Sequence, residues 1–327
     1  MIEDGRIIGL GAAYVDAKIQ SSELHLPLQR NQLPRFLDAH MEANLYAGGS
    51  IPNILTSFIR LSGNPNVRLF TCVGDDSRGK FYTAHTDRRL GEPQVSTKNP
   101  TGVWVGIYND NELVEELDFY GAAGDIIILK RELEDSRNEV FITDIDACRV
   151  PQSFDSVKRV LEIMEDDGLF ILSLSGLDAQ ADIQWLLSSA DRIPNVIFGN
   201  AAELSYITDE TDIAQAIRTT FPHSRLIVIT NEEKDALVRF EEQVFSIPAK
   251  YIPQERVVDA AGAGDLYMGT MLALLSLSRY RTWNKYDVIN VGNVASYAST
   301  LILQSVQSRL THDMAQLILD YARSGPR

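Results

Sequence analysis

The amino-acid sequence predicts an α/β fold: a mostly parallel sheet flanked by helices, carrying a small β-structured flap. Three observations lead there. From about Asn138 onward, the short β-branched runs "EVFITDID", "GLFILSLSG", "NVIFGN" and "RLIVIT" alternate with stretches of helical spacing, the signature of βαβ units. Earlier in the chain, "TGVWVGIYND" and "ELVEELDFYG" read as two strands around the polar turn "NDNE", with the partial alternation of a sheet open on one face. Finally, 327 residues at 45% hydrophobic and 23% charged, without a low-complexity tract, can bury one large core.

Taken in order, "RIIGLGAAYVDAKI" reads as a strand that continues past a turn of small residues. "IPNILTSFIRLSG" reads as a helix that Gly63 stops, and "VRLFTCVG" as the next strand. The two flap strands and the four regular runs follow. The apolar run "YMGTMLALLSL" is too short to span a bilayer, and the acidic start shows neither the basic region nor the cleavage site of a signal peptide. A cytoplasmic protein is expected.

A formal net charge of -15 argues against general affinity for nucleic acid or anionic membranes, because such a surface repels polyanions. A small substrate in a local pocket fits better. Cys72 and Cys148, the only cysteines, make no disulfide framework, and the five histidines are too scattered to suggest a metal cluster.

Three glycine-rich loops compete as a phosphate cradle. "GLGAAY" (9–14) partly matches the dinucleotide fingerprint, but Tyr14 stands where a third glycine should be, so a dehydrogenase is a weak reading. "GDDSRGKF" (74–81) has the G-x-x-x-x-G-K spacing, yet Phe81 replaces the magnesium-holding hydroxyl and two aspartates would face the phosphates. "AAGAGD" (260–265) directly precedes an apolar-periodic helix, where unpaired N–H groups and the helix dipole attract anions. Here Asp265 reads either as a helix cap or as a catalytic carboxylate.

Together these segments resemble the ribokinase-like (PfkB) carbohydrate and nucleoside kinase family over nearly the whole chain. "AGGSIPNILTSFIRLSG" is similar to the family's Gly-Gly-x-x-x-Asn segment, with Gly48, Gly49 and Asn53 in place, and "VVDAAGAGDLYMGTM" is similar to its second signature. "FGNAAEL" supplies Asn200 and Glu203 of an Asn-x-x-Glu motif, which alone also caps helices by chance. The resemblance implies the ribokinase-like fold in one domain spanning 1–327, with a lid formed by about 12–48 and 100–122. It implies ATP-dependent phosphorylation of a sugar or nucleoside hydroxyl, with Mg2+. Asp265 would be the base, and the backbone of Ala261, Gly262, Ala263 and Gly264 would stabilise phosphoryl charge. Asp16, Gly48, Gly49 and Asn53 would hold the substrate. Asn200, Glu203, Thr230, Ala261 and Ser296 would serve the nucleotide, the first two organising Mg2+ through water. "SYASTLILQSVQSR" resembles the adenosine-kinase version of the last base-lining helix, which leans the substrate toward a nucleoside.

Two departures stand out. Glu232 and Asp235 occupy the glycine positions of a Thr-x-Gly-x-x-Gly motif, and acids beside a polyphosphate repel it. They motivate a second reading, a catalytically weak relative acting as a nucleotide- or sugar-binding regulator. Ala260 replaces a threonine of the signature, leaving a monovalent-cation requirement open; monomer and homodimer are both compatible with the sequence.

Overall fold

The computed structural model describes residues 6–23, 29–39, 45–109, 112–133, 140–176, 192–208, 210–275, 277–305 and 309–325. Its strands are β1 (Ile7–Leu10), β2 (Tyr14–Gln20), β3 (Leu45–Gly48), β4 (Val67–Phe70), β5 (Cys72–Gly74), β6 (Gln94–Ser96), β7 (Gly102–Asn109), β8 (Glu112–Phe119), β9 (Val140–Asp144), β10 (Leu169–Ser173), β11 (Val196–Asn200), β12 (Leu226–Asn231), β13 (Lys234–Phe240) and β14 (Gln243–Ile247). The described helices are α1 (Leu33–Ala39), α2 (Ser50–Ser62), α3 (Ser77–His85), α4 (Ile145–Arg149), α5 (Pro151–Ile163), α6 (Ala201–Thr208), α7 (Ile213–Thr219), α8 (Ala263–Leu274), α9 (Lys285–Leu303) and α10 (His312–Ser324).

Eight strands form the main sheet in the order β14-β13-β12-β11-β10-β9-β1-β4. The six from β12 to β4 are mutually parallel, whereas β13 and β14 append an antiparallel edge. Each β-branched run is buried on both faces, and alternation sends neighbours to opposite sides. Ile142, Ile171, Phe198 and Val228 join the core under α2, α8, α9 and α10, while Phe141, Leu172, Ile197 and Ile229 join the core under α5, α6 and α7. The result is a three-layer αβα sandwich whose parallel strands all end on one rim, where ligands of such sheets bind.

A second sheet of four strands, β3-β2-β7-β8, stands beside that rim. Along β2, Ala17 and Ile19 pack with Val103, Val105 and Ile107 of β7 against Leu33 and Leu37 of α1. The intervening Asp16 and Lys18 therefore fall on the opposite face. The flap strands read from sequence are β7 and β8, and the centre of their "NDNE" turn lies outside the described residues. The reading of "VRLFTCVG" as one strand needs correction: Thr71 divides it into β4, in the main sheet, and β5, which pairs with β6. "GLGAAY" also splits, since Gly9 belongs to β1 and Tyr14 opens β2 of the other sheet. That geometry fits no dinucleotide turn.

Two helix starts place the site. Gly262 takes φ 80° as the residue before α8, and Gly49 takes φ 99° before α2; both values lie in the left-handed region that favours glycine. The two helices then approach closely at Gly269, where a Cβ would lie 2.6 Å from Ser57 Cβ and 2.7 Å from the Ile54 carbonyl. This contact sets the first turn of α2 against the first turn of α8.

Candidate active site

Asp265 is the third residue of α8, with Gly262 as the cap, so the capping role open in the sequence is not its role. Its carboxylate reaches across to α2. Ser50 Oγ donates to Oδ1, and Asn53 Nδ2 donates to Oδ2 at 2.9 Å. Ser50 and Asn53 are three residues apart and so share a helix face. Burial pushes the Asp265 carboxyl up to about 6, against the opposing pull of the Ser50 and Asn53 hydrogen bonds and the Arg309 charge.

Asp265 lines a cleft of about 540 Å³ together with Ser50, Asn200, Glu203, Thr230, Gly262 and Gly264. A Cβ at Gly264 would meet nothing within 4 Å, so the backbone there is open to a ligand at the start of a helix, where N–H groups and dipole favour an anion. Of the other loop residues, the Ala261 N–H donates to Asp259 Oδ1 at 3.0 Å and the Ala263 N–H to the Ala260 carbonyl at 3.3 Å. The exposed backbone therefore narrows from the Ala261–Gly264 stretch to Gly262 and Gly264.

Asn200 ends β11 and Glu203 lies in the first turn of α6, on the far wall of the cleft. They cap one another: the Asn200 N–H donates to Glu203 Oε2 and the Glu203 N–H to Asn200 Oδ1, each at 2.8 Å. The alternative of a helix cap is thus real; it uses the single side-chain oxygen of Asn200 but only one of the two carboxylate oxygens of Glu203. Burial, then the charges of Asp265, Asp146 and Glu116, push the Glu203 carboxyl up to about 7 despite the Asn200 N–H. Among the described residues no three His, Cys, Asp or Glu side chains could enclose a metal by themselves. A hard cation that keeps most of its water and shares its remaining ligands with phosphates fits such a wall, and its charge would relieve the crowded carboxylates.

Asp16, Gly48, Gly49 and Asn53 gather on the small-sheet side of Asp265. The Asp16 carboxylate fills the space over Gly48 where any side chain would stand, which explains the glycine. Burial pushes Asp16 up to about 7, with Arg309 and Lys18 pulling down and Asp265 pushing up. Ser296 is placed elsewhere, buried on α9 beside the Tyr267 hydroxyl and outside the cleft lining. Thr230 lines the cleft, whereas Glu232 and Asp235 do not: Glu232 is exposed at φ 52° in the turn between β12 and β13, and Asp235 accepts the Ala249 N–H at 3.2 Å. The glycine expected at 232 would suit that turn; the glutamate there is exposed and outside the cleft lining. Likewise the "GDDSRGKF" loop is structural, with Asp76 capping α3 through the Gly79 N–H at 2.7 Å.

Four residues of this neighbourhood carry no motif. Ser50 was legible only as the residue three before Asn53. Arg309, in the segment between α9 and α10, donates from Nε to Asn53 Oδ1 at 2.9 Å. Lys18 forms an ion pair with Asp259, and the Tyr108 hydroxyl donates to the same carboxylate at 3.0 Å. These last contacts tie β2 and β7 of the small sheet to the loop that leads into α8.

Comparison with solved structures places this architecture in a known class. The chain superposes on adenosine kinase from Sinorhizobium meliloti with a TM-score of 0.75 at 19% identity, covering 97% of this chain and 99% of that one. The fold is ribokinase-like. By sequence, it is 25% identical to a fructokinase from Vibrio alginolyticus over 263 residues, 74% of this chain and 80% of the relative. It is also 25% identical to an adenosine kinase from Schizosaccharomyces pombe over 236 residues, 65% and 68% of the two chains. Residues 34–313 match the model of the pfkB family carbohydrate kinases, and the chain belongs to that family. It is a sugar or nucleoside kinase of that family, which replaces the dehydrogenase reading.

Proposed function

We propose that the protein transfers the γ-phosphoryl group of ATP to a hydroxyl of a small sugar or nucleoside, with Asp265 as the general base. The observation that carries this reading is the pairing of one carboxylate, aimed by Ser50 and Asn53, with the open backbone of Gly262 and Gly264 at the start of the same helix. Phosphoryl transfer needs little covalent help from a protein; positioning and electrostatics suffice. Asp265 takes the hydroxyl proton as that oxygen bonds to the γ-phosphorus and the bridging bond to ADP breaks. The Gly262 and Gly264 backbone meets the charge on the equatorial oxygens. A carboxylate raised to about 6 is well placed for this task, since a base works best with a pKa near the operating pH.

Asn200 and Glu203 are the residues to hold Mg2+ through water, where the ion would neutralise phosphate charge. Asp16, beside Gly48, suits substrate hydroxyls, and the small sheet acts as a lid that excludes water as a competing acceptor. A nucleoside is favoured as substrate by the resemblance of the last long helix to adenosine kinases. The test is ADP release over a panel of sugars and nucleosides, with wild type and Asp265→Asn. The variant should lose at least about 100-fold in kcat and still bind nucleotide, as expected for removal of a general base; near-normal turnover sinks the assignment.

A further inference from the structure

We propose that Arg309 is a positioning residue for Asp265, acting through the amide of Asn53. The proposal rests on the reading of Asp265 as base. The chain of contacts is linear: Arg309 Nε donates to Asn53 Oδ1 at 2.9 Å, and Asn53 Nδ2 donates to Asp265 Oδ2 at 2.9 Å. An amide can present either end, and the end facing a carboxylate must be the NH2 group. Arg309 supplies only donors, so it donates to the carbonyl end of Asn53 and leaves the NH2 end for Asp265. Asn53 itself is 4% exposed, in the first turn of α2, so water cannot easily take over that role.

The guanidinium is fixed in turn. Nη1 donates to the His85 carbonyl at 3.3 Å, Nη2 reaches the Gly48 carbonyl at 3.5 Å, and the group lies 5.9 Å from the Tyr82 ring centre. Arg309 thus links α3, β3 and α2 around one cationic centre. The charges that act with Asp265 are mostly negative: Asp16 from β2, Asp144 from the end of β9 and Glu203 from α6. Arg309 is the cation that opposes this crowding at Asp265, and Lys18 helps it only at Asp16.

The two roles, hydrogen bond and charge, separate in mutants of the full-length enzyme assayed for kcat and KM across pH. In Arg309→Gln, kcat should fall about 10- to 100-fold, the cost of misplacing a catalytic group, with KM for ATP changing less than about threefold. The acid limb of kcat should also move upward, by about one pH unit, because an opposing cation has been lost. Arg309→Lys keeps the charge, so its acid limb should stay near that of wild type. If Arg309 acts through Asn53, adding Asn53→Ala to Arg309→Gln should lower kcat little further. An unmoved limb in Arg309→Gln, or fully multiplicative losses in the double variant, overturns the proposal. Should Arg309→Gln not fold, the cycle is run with Arg309→Lys, whose single ammonium cannot reproduce the Nε bond to Asn53 together with both carbonyl contacts. Its kcat should fall, adding Asn53→Ala should lower kcat little further, and an unchanged kcat or fully multiplicative losses overturn the proposal. Asp265→Asn is run alongside: full activity there defeats the base assignment itself, whereas an inactive Asp265→Asn with an unmoved limb in Arg309→Gln defeats only the role given to Arg309.

Discussion

Replacing Lys18 by methionine removes the cation of an ion pair that joins the small sheet to the loop before α8. The Lys18 side chain is 14% exposed and that of Asp259 5%, so little water is at hand to compensate the stranded carboxylate. Removing one partner of a buried pair costs about 3–5 kcal/mol. Asp259 keeps two donors, the Tyr108 hydroxyl and the Ala261 N–H, each at 3.0 Å, which places the expected loss near the lower end, about 3 kcal/mol. Asp259→Asn in the same background removes the stranded charge and still offers an oxygen to both donors. The double variant should therefore recover much of the stability, with a coupling energy of about 2 kcal/mol. Equilibrium urea unfolding near neutral pH reads all four corners of the cycle. A Lys18→Met unfolding free energy within about 0.5 kcal/mol of wild type, or single-mutant losses that simply add, would refute the argument that this pair is closed to water.

Two further outcomes follow from the packing and the charges. Asp16 and Asp265 have carboxyls raised to about 7 and about 6, so the unfolded chain holds fewer protons than the folded one between about pH 4 and pH 7. Their contribution is present below the ordinary carboxylate range and lost as pH rises through 6 and 7. The unliganded protein should melt at lower temperature near pH 7.5 than near pH 5.5, and scanning calorimetry showing the reverse slope would contradict this. Asp76 and Asp87, held below the ordinary value, lose their contribution only as pH falls under about 4, outside that window. At the α2–α8 contact, Gly269→Val sets side-chain atoms against Ser57 and the Ile54 carbonyl. Overpacking of this kind costs about 1–3 kcal/mol, and the displaced first turn of α2 should lower kcat as well; a variant with wild-type stability and turnover would show that the helices can part freely.

The main sheet was legible because its strands are buried on both faces, which forces continuous β-branched runs such as "RLIVIT" and "EVFITDID". The antiparallel edge was not: the β12–β13 and β13–β14 turns are built on Glu232–Glu233 and Glu241–Glu242, and Glu232 and Glu241 adopt positive φ without the glycine or asparagine that normally announces it. The residues of the site divide in the same way. Asp265, Asn53, Gly48 and Asn200 sit in compact local patterns that a linear reading can find. Arg309 lies 256 residues from Asn53 in the chain, and Lys18 meets Asp259 only after two sheets have been assembled. A single cation opposite a distant carboxylate leaves no spacing to recognise.

The two sheets are joined by very short crossings. Three residues, Gly11–Ala13, separate β1 from β2, and Gly49 alone separates β3 from α2. A graft cut at these junctions would carry β2 and β3 with Asp16, Lys18 and Gly48, leaving β7 and β8 of the small sheet, and Ser50, Asn53, Asp265 and Gly264, in place. Under the proposed function, part of the recognition of the acceptor and the removal of its proton are thereby assigned to separable stretches of chain. Exchanging that stretch among family members offers a route to new acceptors on an unchanged phosphoryl-transfer chassis, provided the incoming strands bring a cation for Asp259.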